Sequence, residues 1–202
     1  MSPALLRLWC MFVLLLPAIQ GTPPAARAGG SPTVFCGNRT VCVPTLGIAV
    51  TLPANWSTTL TSYGLELGPA PGKQAVAGTL LITLIGWASR CSDSQTMSRV
   101  AEYWIHHSGH RLHITDRPVA IAGAPALLIL GLPGPGDSGV TLLLAHQGSL
   151  YGITTFNSPR NTLAAGERDA LSHLQFIPRA SPFPPQPDGS VAKALRTCHD
   201  RG

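Results

Sequence analysis

The chain has 202 residues, of which only 11% are charged, against about 25% in an ordinary soluble domain. Its formal charge of +5 comes from single, scattered side chains. That pattern excludes a basic stripe able to follow a phosphate backbone, so no nucleic-acid partner is expected. The high apolar content argues for a folded chain rather than a disordered one.

Residues 1–28 have the pattern of a secretory signal peptide. Arg7 supplies the positive start, residues 8–19 form an apolar run, and Ala26-Arg27-Ala28 offers a small-x-small cleavage site before Gly29. The run falls short of the roughly 20 residues needed to cross a bilayer, and Pro17 interrupts it. Cleavage removes Arg7 and Arg27, leaving 12 basic against 9 acidic side chains and a net charge of +3. The expected product is secreted or otherwise extracytoplasmic, with no membrane span after signal cleavage. An uncleaved anchor is the alternative. About 174 residues remain, enough for one domain with a real core. We expect that domain at 29–178, followed by a proline-rich linker and C-terminal tail at 179–202.

Cys36, Cys42, Cys91 and Cys198 lie beyond the cleavage site. An even number in an exported chain favours disulfides, and four cysteines allow three connectivities. Cys36 and Cys42 flank the turn-rich Gly37-Asn38-Arg39-Thr40, so Cys36–Cys42 is the favoured pair, leaving Cys91–Cys198. A zinc site is the weaker alternative, because no Cys-x-x-Cys occurs.

Along the body, residues 47–52 alternate as a strand, with Ile48, Val50 and Leu52 on one face. A brief strand follows at 65–67. Residues 76–85 are apolar on both faces and predict a central strand covered on both sides. From 92 to 108 the period becomes helical through Met97, Val100, Ala101, Trp104 and Ile105. Ser92 and Gln95 have capping-box spacing, and Gly109 is a natural stop. Further strands are expected at 111–115, 119–121, 126–132 and 140–146. The strand at 151–156 would pair with the last of these across Gln147-Gly148-Ser149. A second helix over 163–174 would be capped by Asn161 or Thr162. Strands with short connections and two helices indicate an α+β fold, a central antiparallel sheet flanked by two helices.

Gly47-Ile48-Ala49-Val50-Thr51-Leu52-Pro53-Ala54-Asn55-Trp56 resembles the opening strand and Pro-x-x-Trp bend of PsbP-like domains. Gly123-Ala124-Pro125-Ala126 is similar to the turn before their middle hairpin. Tyr151-Gly152-Ile153-Thr154-Thr155, with the following helix and Leu174-Gln175-Phe176, resembles their closing elements. The resemblance spans roughly 46–178 and implies an α/β sandwich, in a family whose members are mostly non-enzymatic binding or accessory modules. It carries over no binding residue. The disulfides and the proline-rich tail are not family features.

Two constellations carry chemistry. Gly136-Asp137-Ser138-Gly139 resembles the nucleophile loop of chymotrypsin-like serine proteases, with Ser138 as the candidate catalytic residue. No Ala-Ala-His-Cys segment accompanies it, and these residue types make hairpin turns unaided, so a turn is the preferred reading. His106, His107, His110 and His113 form a cluster in which His106, His110 and His113 are candidate metal ligands, with Asp116 nearby. Gly109 argues against a continuous helix, and histidines in a last helical turn also complement the helix dipole. Trp56 and Trp104 are expected in the core, and Trp87, beside Gly86 at a strand end, partly exposed. Asn38-Arg39-Thr40 and Asn55-Trp56-Ser57 match glycosylation sequons. The reading is an exported binding or accessory protein with no cofactor, its partner a protein or small ligand outside the cytoplasm. A serine hydrolase or a weak metal binder is the alternative.

This reading predicts that the exported chain has no free thiol. Iodoacetamide under denaturing, non-reducing conditions should modify none of the four cysteines, and cleavage within 181–187 should release no tail fragment until reductant is added. Two modified thiols would remove one bridge.

Overall fold

The computed structural model describes residues 34–72, 78–87, 91–107, 112–115, 119–130, 140–156, 162–180 and 189–199. Strand β1 (Val34–Gly37) turns at Asn38 and Arg39 into β2 (Thr40–Val43), and β3 (Ile48–Thr51) follows. Next come β4 (Trp56–Leu60), β5 (Leu65–Pro69), β6 (Thr79–Trp87) and the helix α1 (Asp93–His107). Then follow β7 (His113–Ile114), β8 (Val119–Ile121), β9 (Ala124–Leu130), β10 (Val140–His146) and β11 (Ser149–Phe156). The chain closes with α2 (Ala165–Ser172), β12 (Leu174–Phe176) and α3 (Gly189–His199).

Two sheets result. One runs β1-β2-β3-β12, the other β4-β5-β6-β11-β10-β9-β7 with β8 also on β9. Every described pairing is antiparallel, as short hairpin connections require. The fold is therefore mixed α and β, dominated by antiparallel sheets, with three helices where the sequence suggested two. The third, α3, forms inside the segment expected to be a linker and tail, because Val191, Leu195 and Cys198 share one buried stripe. Two hairpin strands at the start of the chain, and β4, were likewise not expected as strands.

The core divides at the larger sheet. On β10, Leu142 and Leu144 join a cluster that includes Val41, Ile48 and Val50 of the smaller sheet and Leu171 of α2. Leu143 and Ala145 point the other way, into a cluster with Val100 and Ala101 of α1 and Val191 and Leu195 of α3. Strand β6, predicted as central and covered on both sides, does lie between β5 and β11, but only Leu80, Ile82, Leu84 and Gly86 are buried while Leu81, Thr83 and Ile85 on alternate positions are half-buried. No described helix is long and apolar enough to cross a membrane.

Helix α1 starts as its sequence signals: the Ser92 N–H donates to Gln95 Oε1 at 3.1 Å, and the Gln95 N–H to Ser92 Oγ at 3.3 Å. Helix α2 departs from expectation. It begins two residues later than predicted, with Ala164 as N-cap rather than Asn161 or Thr162. The buried Glu167 replaces a hydroxyl cap, accepting the Ala164 N–H at 2.7 Å. Leu174, expected at the end of this helix, belongs to β12.

Disulfides join Cys36 to Cys42 and Cys91 to Cys198. The second ties the approach to α1 to the end of α3 across a sequence separation of 107. By the chain-entropy model such a closure contributes on the order of 4–5 kcal/mol.

Gly166 gives a test of the packing. A Cβ built there would lie 2.6 Å from Trp56 Cζ2. Gly166→Ala should lower stability by about 1–2 kcal/mol, although alanine is intrinsically the better helix former by roughly 1 kcal/mol. Urea denaturation followed by tryptophan fluorescence measures it; a gain in stability would mean that the indole moves aside freely.

Candidate ligand-binding cleft

Strand register builds this site. Ser149, the first residue of β11, pairs with Trp87 of β6 on one side and His146 of β10 on the other. Directly opposed residues in antiparallel strands project from the same face, so Trp87, Ser149 and His146 form one row across three strands. The rows beneath it on that face, Leu84-Tyr151-Leu144 and Ile82-Ile153-Leu142, belong to the buried core. The core thus ends in two rings with a small hydroxyl between them.

The segment after β12 covers this end. Phe176 stacks on His146 with ring centroids 3.8 Å apart and meets Tyr151 at 5.7 Å. The Ile177 N–H donates to Gly47 O at 2.9 Å and the Ala180 N–H to Pro44 O at 2.9 Å, holding residues 177–180 against the β2–β3 turn. Arg179 Nη1 donates to Ser149 Oγ at 3.2 Å. The result is a cleft of about 500 Å³, walled by Trp87, His146, Tyr151, Phe176 and Arg179 among others. Gly47 also lines it, with φ +71; a Cβ there would sit 3.3 Å from Ile177 O and 3.5 Å from the Tyr151 hydroxyl.

Two local devices hold the cleft. The Tyr151 hydroxyl donates to Leu46 O at 2.8 Å, joining the two sheets beside the opening. The β10–β11 turn has two residues, Gln147 and Gly148, both at positive φ (48° and 77°), while Ser149, expected in the turn, starts the strand. The Asp93 carboxylate binds that turn, accepting the Gln147 and Gly148 N–H groups at 3.1 Å each. The turn is therefore anchored to the first residue of α1.

Of the residues singled out from sequence, Ser138, His110 and Asp116 lie outside the described residues, as does the segment 1–28. His106 and His113 are exposed, on α1 and β7 respectively. His107 stacks on Tyr103 with centroids 3.9 Å apart, and its Nδ1 lies 2.9 Å from Tyr103 O. The described residues contain no group of three or more His, Cys, Asp or Glu side chains placed to hold a metal. A second hollow of about 340 Å³ lies between Phe35, Arg39 and Trp56, where Arg39 Nη2 donates to Leu52 O at 2.7 Å.

No family model matches this chain, and no curated protein matches it. Among solved structures it has a weak likeness of fold to the solution structure of cyanobacterial PsbP from Synechocystis sp. PCC 6803. That match is 10% identical, covers 65% of this chain and 87% of the other, and has a TM-score of 0.38.

Tyr151 reports on the cleft's closure. Burial raises its pKa above the usual 10.0, opposed by the Ser149 hydrogen bond and the Arg179 charge. The unfolded chain therefore ionises this phenol first. The stabilisation is complete below pH 10 and is lost as pH rises through the folded-state pKa. Tyr151→Phe should remove that alkaline loss, and the absorbance difference at 295 nm between the two proteins should develop above pH 10. A difference developing below pH 10 would show the phenol to be solvated.

Proposed function

We propose that this chain is an exported, non-catalytic binding or accessory protein that receives its ligand in the cleft between Trp87, His146, Phe176 and Arg179. The cleft carries the proposal. Its volume lies within the range of small-molecule sites, roughly 300–1,000 Å³. Its lining combines the rings of Trp87, His146, Tyr151 and Phe176 with the polar groups of Gln147, Ser149 and Arg179, so a ligand would meet both flat surfaces and hydrogen-bonding groups. Two disulfides are compatible with an oxidising compartment outside the cytoplasm, in keeping with the signal-like 1–28. This proposal takes the fold as a PsbP-like sandwich, supported by the two hydrophobic clusters on opposite faces of the larger sheet.

The contrast with a hydrolase is testable at Ser138. The exported protein should begin at Gly29 and resist fluorophosphonate labelling, and Ser138→Ala should shift stability by less than about 0.5 kcal/mol. Intact-mass measurement before and after the probe reads both the N-terminus and the adduct. Stoichiometric labelling at Ser138, lost in Ser138→Ala, would replace the binding reading with a catalytic one. A mass retaining residues 1–28 would replace the cleaved form with an anchored one.

A further inference from the structure

Resting on the reading of the cleft as a binding site, we infer that its ligand is a neutral saccharide, one pyranose face on Trp87 and its hydroxyls on Gln147 and His146. Charge makes the first argument. None of the described residues lining the cleft is an aspartate or glutamate. Its cation is committed to the fold: Arg179 Nη1 donates to Ser149 Oγ at 3.2 Å, and Arg179 has a further interaction partner besides. Ser149 is hydrogen-bonded in turn to the Tyr151 hydroxyl, which donates to Leu46 O at 2.8 Å. These three side chains hold the walls. A charged ligand would give up its hydration here without meeting a vacant counter-charge, so the cleft favours a neutral one.

The remaining polar groups make the second. Among the described residues, the Trp87 indole N–H, the His146 ring nitrogens and the Gln147 side-chain amide have no hydrogen-bond partner. Together they include donors and acceptors. Hydroxyl groups answer both, since each donates one hydrogen bond and accepts others. The Gln147 amide offers a donor and an acceptor side by side, which two adjacent ring hydroxyls can meet together.

The open aromatic face makes the third. Trp87 is 37% exposed at the end of β6, although Leu84 beneath it on the same face is buried. His146 has one face against Phe176, so Trp87 supplies the flat surface still open to a ring. The face of an aromatic ring is the negative part of its quadrupole and attracts positive edges. A pyranose with equatorial hydroxyls matches it: polarised C–H bonds cover its faces and hydroxyls surround its rim. A plain aromatic ring would cover Trp87 and leave the Gln147 amide and the His146 imidazole unmet. The cleft of about 500 Å³ is of small-ligand size.

The test uses the oxidised exported chain, labelled with ¹⁵N, and four probes: cellobiose, methyl β-glucoside, methyl β-glucuronide and nicotinamide. Cellobiose should give saturable shifts at the Trp87 indole N–H and the His146 amide, with affinity roughly tenfold above that of nicotinamide, a flat neutral ring with a polar edge. The glucoside should bind roughly fivefold more tightly than the glucuronide, which differs only in its carboxylate. Trp87→Ala should weaken cellobiose at least about tenfold. Gln147→Gly removes the amide at a positive φ that glycine adopts readily, and should weaken cellobiose roughly threefold. Should Trp87→Ala fail to fold, the ranking of the probes on the unmodified protein decides alone. Glucuronide binding as tightly as the glucoside would overturn the neutral ligand, and nicotinamide binding as tightly as cellobiose would overturn the saccharide. Either result leaves the cleft a binding site. Cellobiose shifts that survive both substitutions unchanged would overturn the placement on Trp87 and Gln147. No saturable shift at the cleft with any probe up to about 10 mM would overturn both this inference and the cleft as the site.

Discussion

Burial of the central strands β10 and β11 on both faces is the constraint on which the rest of this structure depends. Strand β10 reads Val-Thr-Leu-Leu-Leu-Ala-His, and all but its final histidine are buried. Such a strand must be covered twice. One cover comes from the smaller sheet and α2, the other from α1 and α3. A chain only 11% charged has little polar surface to spare, so each additional cover removes apolar area from water at roughly 25 cal/mol per Å². The late helix α3 is part of this covering. Val191 and Leu195 are fully or almost fully buried in the cluster that also contains Leu143 and Leu150, and the Cys91–Cys198 bond fastens the helix there.

The cleft follows from how that doubly covered sheet ends. Along the face toward the smaller sheet, β6, β11 and β10 pass from aliphatic rows to the row Trp87-Ser149-His146, with one extra residue of β6, Ile85, between the Leu84-Tyr151 and Gly86-Leu150 pairs. Each member of that row has an apolar or small body and a polar tip, the character suited to a boundary between core and water. The covering chain changes at the same level: Phe176 is the last residue of β12, and Arg179 follows three residues on. Core packing therefore gives way to a mixed aromatic and cationic wall without any separate loop being built for it.

Much of the sheet was legible in sequence because its strands are bounded by turn residues and carry unambiguous apolar patterns. The capping box at Ser92 and Gln95 and the centrality of β6 were readable for the same reason. The first hairpin was hinted at only by the cysteines around its turn. Helix α3 was hidden by its neighbourhood: the prolines at 182–187 dominate the composition there, while its apolar spacing of Val191, Leu195 and Cys198 is short. The cap of α2 was misread because hydroxyl and amide residues at 161 and 162 are the usual choices, whereas a buried glutamate three residues inside the helix does the work. The cleft could not be read at all. Trp87 is remote from His146 and further still from Arg179, and only strand register and a chain reversal bring them together. Its exposed strand-end indole was the sole local signal.

What makes the cleft a defined shape is that its walls are fixed from outside. Gln147 holds a positive φ without being glycine, a conformation that costs about 1–2 kcal/mol. Asp93 offsets that cost by accepting two adjacent N–H groups of the turn, charge-assisted bonds worth roughly 1.5–3 kcal/mol each. The turn in turn sets the register in which His146 faces Ser149. On the opposite wall, the Ile177 N–H bonded to Gly47 O and the Tyr151 hydroxyl bonded to Leu46 O hold the covering chain to the same sheet end. Asp93 lies two residues from Cys91, so the disulfide that fastens α3 also restrains the helix end that holds the turn. Walls restrained in this way lose little entropy when a ligand enters, and preorganisation of that kind raises affinity without adding a contact.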